Sequence, residues 1–247
     1  MDPRSGAPAR LKRTLRRAGA PLGSVVAVRT AEPEVVLTFD DGPDPVGTPA
    51  VLDALAAHGA TATFFVLLTR VRRHPGLVER VLREGHEVGL HGVDHRPLPG
   101  FSFSEARART AAGAAELQAL TGTRVRWFRP PYGAQSPGSW LATRRAGLVP
   151  VLWGPTTWDW REVGQDERVR KAQEGAGPGS VLLAHDAFAD ARDGAADYGR
   201  GLRAPDVDRR ELVDRVLTAY AARGWRGRSL GDALQHGRAV RAAHFSR

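Results

Sequence analysis

Short apolar runs alternate with helical stretches along most of the chain after residue 30. The runs have the length of buried strands and are bounded by turn residues: Val35–Phe39, Thr61–Leu67, Val88–Leu90, Arg124–Phe128, Leu148–Trp153 and Val181–Ala184. Between them, apolar residues recur at helical spacing or follow a helix-capping residue, which predicts these helices: Thr48–His58, His74–Glu84, Ser104–Leu120, Pro137–Ala146, Asp166–Glu174 and Asp208–Arg223. Strands and helices in alternation indicate an α/β fold with a parallel sheet, either open or closed into a barrel.

Two local features of this pattern lead to further expectations. Ser104 stands at the predicted start of the longest helix, where a serine side chain can accept a backbone hydrogen bond as the N-cap. The segment Asp186–Pro205 is long and rich in alanine, glycine and aspartate. Such a loop is either a mobile lid over a site or ordinary surface, and the sequence leaves both readings open.

The composition fits one domain with a basic extension. The chain has 247 residues and a net charge of +9, which comes almost entirely from arginine. We predict a basic, flexible arm over residues 1–24 and a single catalytic domain over residues 25–247. Because the arginines are spread out, a biased amino-acid usage explains them better than a nucleic-acid site does, so we expect no nucleic-acid partner. A weak contact of the arm with a membrane or another anionic surface stays open.

Composition also excludes some chemistry. The chain has no cysteine, which rules out disulfides, thiolate zinc sites and a cysteine nucleophile. No segment approaches the roughly 20 apolar residues that cross a bilayer. No apolar run follows the basic start as it would in a secretion signal, so we expect a cytoplasmic location.

The first candidate site follows the run Val35–Phe39, where Asp40 and Asp41 precede Gly42-Pro43. Turn formation alone would explain these residues. Adjacent strand residues point to opposite faces, so both carboxylates serve one site only if the chain bends there. One could then bind a metal while the other remains a free base.

The second candidate site is the pair His91 and His95, just after another strand. If the two lie on one helical turn, their imidazoles face the same side and can meet one ion. With an aspartate they form a two-histidine, one-carboxylate set, which fits zinc hydrolases and also iron(II) oxygenases.

Further candidates follow later strands: Arg129-Pro130-Pro131-Tyr132-Gly133, Trp158-Asp159-Trp160 and His185-Asp186. Each has an ordinary reading as a turn, as core aromatics or as a polar strand cap. Their shared position after strands matters more, because parallel α/β sheets and barrels place their sites at that end.

In this order the motifs resemble those of the polysaccharide deacetylases, carbohydrate esterase family four, over roughly residues 35–234. The family fold is a distorted, incomplete (β/α) barrel. The resemblance implies a metal-dependent hydrolase that removes the N-acetyl group of an amino sugar in an oligosaccharide, polysaccharide or glycoconjugate. An O-acetyl carbohydrate esterase and a non-catalytic carbohydrate-binding barrel are the alternatives.

The resemblance also implies a role for each site residue. Asp41, His91 and His95 would hold a divalent metal, usually Zn²⁺, with Co²⁺ or Ni²⁺ as alternatives. Asp40 would be the general base and Arg129 would orient it. The Tyr132 backbone N–H would stabilise the oxyanion. His185 would be the general acid, held by Asp159, and Trp160 and Leu183 would line the acetyl pocket.

The chain departs from the family pattern at two places. Gly92 stands where the family usually has serine or threonine, which removes a hydroxyl from the histidine motif. Residues 154–157 lack the additional aspartate that usually precedes the Asp-Trp pair. We therefore expect a changed loop at Gly92 and a different cleft near Asp159.

Overall fold

The computed structural model describes residues 23–196 and 203–245. The strands in this part of the chain are β1 Ser24–Arg29, β2 Glu34–Asp40, β3 Thr63–Leu67, β4 Glu87–Gly92, β5 Trp127–Phe128, β6 Val149–Pro150, β7 Val181–His185, β8 Arg226–Arg228 and β9 Arg238–Ala242. The α-helices are α1 Gly47–Ala57, α2 Leu68–Arg73, α3 Pro75–Arg83, α4 Phe103–Thr121, α5 Pro137–Arg145, α6 Gln165–Gln173, α7 Arg209–Ala221 and α8 Leu230–His236.

The centre of the fold is a parallel sheet in the order β6-β5-β4-β3-β2-β7, with β8 pairing with β2. Every residue of β2 and β3 is buried. Burial on both faces is typical of a parallel sheet that is covered by helices, and it explains why these strands are continuous apolar runs. The carboxyl ends of the strands meet at one edge, where the motifs lie.

The two ends of the curled sheet are bridged by the first strand of the domain. Residues of β1 form an isolated bridge to Val151 after β6 and another to Ser180 before β7. The outer side of β1 pairs with β9 in an antiparallel ribbon. The barrel is therefore incomplete, since β1 crosses the gap with isolated bridges instead of a full ladder.

Several predicted helix and strand boundaries differ from those in the structure. The N-cap of α4 is Ser102, not Ser104: its side chain accepts from the Glu105 N–H, and the Glu105 side chain accepts from the Ser102 N–H. The predicted strands Arg124–Phe128 and Leu148–Trp153 are reduced to two residues each, because only Trp127–Phe128 and Val149–Pro150 form a ladder. The elements β1, α2, β8, α8 and β9 were not predicted.

The predicted arm over residues 1–24 falls almost entirely on residues 1–22, which lie outside the described residues. Ser24 is already the first residue of β1 and is buried. The arm therefore stays a prediction.

Candidate metal centre and active site

Asp40 and Asp41 lie at the carboxyl end of β2, and both are buried. The backbone of Asp41 has φ 75°, in the left-handed region that an L-residue rarely adopts. This turn at Asp41 breaks the alternation of the strand and brings both carboxylates to the same side. The bend predicted at Gly42-Pro43 thus begins one residue earlier, at the candidate ligand itself.

The two candidate histidines approach the same aspartate from the end of β4. They do not lie on a helical turn as predicted: His91 is in the strand and His95 follows a bend. The chain leaves the strand at Gly92, which has φ 139°. His91 Nδ1 lies 2.8 Å from the carbonyl oxygen of Arg129 and donates to it, which leaves Nε2 facing the site.

The three side chains form a group that fits one metal ion. Asp41 Oδ1 lies 3.3 Å from His91 Nε2 and 3.2 Å from His95 Nε2. Ligands about 2.1 Å from a tetrahedral ion stand roughly 3.4 Å apart, so both spacings match. Asp41 Oδ1 is also buried without a well-directed hydrogen bond. Burial raises the pKa of Asp41, but His95 and His91 outweigh it and hold that pKa well below its ordinary value.

Arg129 holds the second carboxylate away from this group. Its guanidinium is fully buried and donates to Asp40 Oδ1 at 2.7 Å and to Thr38 Oγ1 at 2.7 Å. It also donates to the carbonyl oxygens of Val151 and Leu152, and the ring of Phe65 lies 4.2 Å from its Cζ. A buried guanidinium with this many acceptors has a single orientation, and it fixes one oxygen of Asp40.

Tyr132 follows β5 in the short turn Pro131–Gly133 and has φ 59°. Its ring packs edge-on against His95, with ring centroids 4.3 Å apart. Gly133 is required here, because a Cβ at this residue would lie 2.5 Å from the Trp153 ring. This close approach and the left-handed backbone fix the turn that holds the Tyr132 ring against His95.

His185 ends β7, beside the end of β2. Its Nδ1 lies 2.8 Å from Asp159 Oδ1, and its backbone N–H donates to Asp159 Oδ2 at 2.7 Å. Burial lowers the pKa of His185, but the Asp159 carboxylate outweighs it and raises the pKa to about 9. Burial likewise raises the pKa of Asp159, and His185 brings it below its ordinary value. The pair is therefore a carboxylate and an imidazolium at neutral pH.

Trp160 and Leu183 adjoin this histidine. The Trp160 ring is edge-on to the His185 ring, with centroids 5.3 Å apart. Leu183 is buried, and it shares a face of β7 with His185 because side chains two apart in a strand point the same way. Trp158, in contrast, contacts Arg161 and Lys171 on its ring and is not placed against His185 by any contact in the described residues.

The sequence did not reveal several residues that hold the site together. Thr38 links Arg129 to the sheet, and the Ala189 N–H donates to Asp41 Oδ2 at 3.1 Å. The carbonyl of Asp193 accepts the N–H of His95 at 2.7 Å. These contacts join positions far apart in the chain, so spacing carries no signal for them. The segment 186–196 is thus part of the site's support.

The departure at Gly92 has a structural reason. A Cβ at this residue would lie 2.6 Å from the Asp94 carbonyl oxygen, and its φ of 139° is strained for any other residue. The backbone leaving β4 therefore takes a path that excludes the serine or threonine usual in the family.

An α/β barrel with a buried Asp-His-His group that could hold a metal ion, a second carboxylate bound by an arginine and a histidine paired with Asp159 has the residue types of a hydrolytic site. The family profile described as "Polysaccharide deacetylase" matches residues 27–151. A chitooligosaccharide deacetylase of Sinorhizobium fredii is 36% identical over 202 residues, covering 81% of this chain and 92% of that protein. The chain belongs to the polysaccharide deacetylase family and is a carbohydrate deacetylase.

Two solved structures add to this comparison. The peptidoglycan deacetylase PdaC of Bacillus subtilis superimposes with a TM-score of 0.69 at 27% identity, covering 83% of this chain and 91% of that one. A family pseudoenzyme from Bacillus anthracis has a TM-score of 0.73 at 21% identity, covering 90% of this chain and 72% of that one. The predicted family and the predicted incomplete barrel are confirmed. Because the pseudoenzyme shares the fold, the fold alone does not establish activity, and the residues of the site decide it.

Proposed function

We propose that the protein removes the acetyl group from the nitrogen of an N-acetylated amino sugar, releasing acetate and a free amine. The observation that carries this proposal is the Asp41 oxygen lying 3.2 and 3.3 Å from the two histidine nitrogens. The Asp40–Arg129 and His185–Asp159 pairs accompany this group. The named activities of the similar chitooligosaccharide and peptidoglycan deacetylases support an amino-sugar substrate.

Asp41, His91 and His95 would hold a divalent metal, and we propose Zn²⁺, with Co²⁺ or Ni²⁺ as alternatives. Two imidazoles and one carboxylate suit these borderline ions, and they leave positions for water and substrate. A bound ion of this kind polarises the amide carbonyl and lowers the pKa of water toward neutrality.

Asp40 would take the proton from the attacking water. Its distance from His91 Nε2 is 3.9 Å, so it lies beside the ligand group without joining it. Arg129 occupies one of its oxygens, which leaves the other for the water.

His185 would protonate the departing nitrogen, because an amine cannot leave as an anion. Asp159 binds Nδ1 and thereby leaves Nε2 as the proton donor. The Tyr132 backbone N–H would stabilise the oxyanion of the tetrahedral intermediate, a contribution of roughly 3–4 kcal/mol per donor. Trp160 and Leu183 would enclose the acetyl methyl group.

Acetate release tests this proposal directly. We expect release from an N-acetylglucosamine oligomer and little from acetylated xylan. The reverse order would make the protein an O-acetyl esterase. Sugar binding without acetate release from any N-acetylated glycoside would make it a non-catalytic binding barrel. Oxygen consumption with the reduced metal would point to the iron(II) alternative.

The partners beyond the sugar stay proposals. No helix in the described ranges 23–196 and 203–245 is long and apolar enough to cross a membrane. We propose that the arm's basic residues give weak contact with an anionic surface. The cytoplasmic location stays a prediction from the sequence.

A further inference from the structure

Asp193 is a fully buried carboxylate that belongs to none of the recognised motifs. It ends the short turn Ala191–Asp193 after β7. Its Oδ2 accepts from Arg70 Nε at 2.8 Å and from Arg70 NH2 at 2.7 Å. Its Oδ1 accepts from Thr69 Oγ1 at 3.1 Å and from the guanidinium of Arg73. We call Thr69, Arg70, Arg73 and Asp193 the Arg70–Asp193 clasp.

The clasp is directly bonded to one candidate metal ligand. The backbone carbonyl of Asp193 accepts the N–H of His95 at 2.7 Å. The carboxylate that fixes this residue to α2 therefore also fixes the backbone that carries the His95 imidazole. Gly194, with φ 75°, turns the chain immediately afterwards.

The clasp also reaches the second ligand. Arg70 NH2 donates to the Phe188 carbonyl at 2.7 Å, and the neighbouring Ala189 N–H donates to Asp41 Oδ2 at 3.1 Å. Arg70 NH1 stands 3.5 Å from Asp44 Oδ2, in the loop that follows Asp41. One buried guanidinium thus connects the loop after β2 to the loop after β7.

A merely stabilising ion pair would not need this arrangement. Buried charges lose hydration, so a buried ion pair is weak evidence for a stabilising role, and in some proteins such a pair fixes geometry instead. Here the fixed geometry is that of His95 and Asp41. Asp41 Oδ1 faces the histidines, whereas Asp41 Oδ2 accepts the Ala189 N–H. The hydrogen bond from Ala189 therefore sets the rotation of the carboxylate.

We propose that the Arg70–Asp193 clasp is a positioning device that presents Asp41 and His95 to one metal ion. This inference rests on the proposed function, because it assumes that these residues bind metal. Partners of metal ligands typically change metal affinity by about 10- to 100-fold when they are removed. Asp193 and Arg70 are positioning residues, since Asp193 bonds to the backbone of His95 and Arg70 bonds to the loops after β2 and β7.

The test measures metal binding by the chain prepared free of metal. Zn²⁺ affinity is determined by competition with a chromophoric chelator, and the visible spectrum of the Co²⁺ form reports the ligand geometry. For Asp193→Asn we expect a loss of Zn²⁺ affinity of about tenfold or more and an altered Co²⁺ spectrum. The matched control is Glu116→Gln. It breaks the exposed bidentate ion pair between Glu116 and Arg72, and Arg72 lies on α2, the helix that also carries Arg70. It should leave both readouts unchanged.

Folded Asp193→Asn protein with a lowered melting temperature but wild-type Zn²⁺ affinity and Co²⁺ spectrum would overturn the proposal, since the clasp would then be structural only. If Asp193→Asn does not fold, Arg70→Lys and the near-isosteric Thr69→Val carry the test, and wild-type affinity in both would overturn it equally. A wild-type chain that binds no Zn²⁺ or Co²⁺ contradicts the proposed function instead, so the two failures are distinguishable.

Discussion

Asp40 and Asp41 are adjacent in the chain but have different surroundings. The left-handed backbone at Asp41 turns it toward His91 and His95, while Asp40 stays in register with the sheet and meets Arg129. A base and a ligand can thus come from consecutive residues. This difference predicts that the two can be separated by mutation.

Asp40→Asn should reduce the rate of acetate release by roughly 10²- to 10⁴-fold, because an amide cannot accept the water's proton. Metal should stay bound, since Asp40 is not in the ligand group. His91→Ala is the contrasting variant and should lose the metal. Atomic emission measures the metal content of both variants, and initial rates of acetate release measure their activity. An Asp40→Asn protein that loses its metal would contradict the separation of roles.

Asp159→Asn should move the basic limb of the pH–kcat profile to lower pH. Burial lowers the pKa of His185, but Asp159, together with Asp41 and Asp40, outweighs burial and raises that pKa to about 9, so the acid form persists through neutral pH and is lost above that value. Without the carboxylate the pKa falls, and the proton is lost earlier as pH rises. The exposed Asp166→Asn is the control. If the basic limb of the Asp159→Asn profile lies at the same pH as in the wild type, whatever the absolute rate, the limb reports the titration of another group.

Gly92→Ser should weaken both the fold and metal binding, although it restores the residue usual in the family. The new Cβ would press on the Asp94 carbonyl oxygen, and the positive φ is strained, which together cost about 1–3 kcal/mol of unfolding free energy. Gly100→Ser is the control, because no atom lies near its Cβ position. Denaturant unfolding and Zn²⁺ titration measure the effect. Wild-type values for Gly92→Ser would mean that the loop accepts the family's conformation.

At the scale of single residues, the sequence predicted which side chains come together but not the backbone conformations that bring them together. The aspartates, histidines and Arg129 are recognisable because each follows an apolar strand. The helical turn considered for His91 and His95 does not form, because a spacing of four residues fits a strand followed by a bend equally well. Asp193 carried no signal, since its partners Arg70 and His95 come from distant parts of the chain.

Among the elements, the long helix α4 shows how a boundary depends on one side chain. Ser102 and Ser104 are both acceptable N-caps by sequence, and Phe103 lies between them. The structure selects Ser102 because Glu105 is three residues further on and returns the hydrogen bond. An acidic residue in the first turn also complements the helix dipole.

Ser102→Ala should lower the unfolding free energy by about 1 kcal/mol, whereas Ser104→Ala should have little effect. The two serines are close in sequence and both are exposed, which makes them a matched pair. Denaturant unfolding followed by circular dichroism gives both values. Equal losses, or a larger loss for Ser104→Ala, would mean that the helix begins later than in the structure.

The missed elements share a physical cause. The strands β8 and β9 and the helix α8 are short. The strand β9 is half-buried, and Arg238 and Arg241 flank its two central residues. Alternation of apolar and polar residues is weak in such segments, and the two strands form by pairing, β9 with β1 and β8 with β2. The central strands were predictable because burial on both faces makes them uniformly apolar.

At the scale of the whole molecule, charge is distributed unevenly. Residues 117–158 contain no acidic residue and five arginines, of which Arg129 is buried and paired with Asp40. The other four are Arg124, Arg126, Arg144 and Arg145, and the arm contributes Arg13, Arg16 and Arg17 among its basic residues. Within the described ranges, burial and the nearby Arg144 lower the pKa of Arg241. Uncompensated positive charge of this kind favours anionic surfaces.

The full chain should therefore bind vesicles rich in phosphatidylglycerol more than vesicles of phosphatidylcholine alone, and salt should weaken the binding. Replacing Arg13, Arg16 and Arg17 by glutamine should reduce co-sedimentation. Replacing Arg72, Arg170 and Arg215, which are exposed and already paired with carboxylates, changes the net charge equally and should have less effect. Equal effects of the two triple variants would rule out a specific contribution of the arm.

The central claim is that Asp41, His91 and His95 bind one metal ion that acetate release requires. The most direct measurement adds Zn²⁺ in steps to chelator-treated protein and follows bound metal and acetate release from an N-acetylglucosamine oligomer in the same samples. We predict no turnover without metal and a rise in proportion to bound ion that ends at one ion per chain. Full turnover by the metal-free chain would contradict the account.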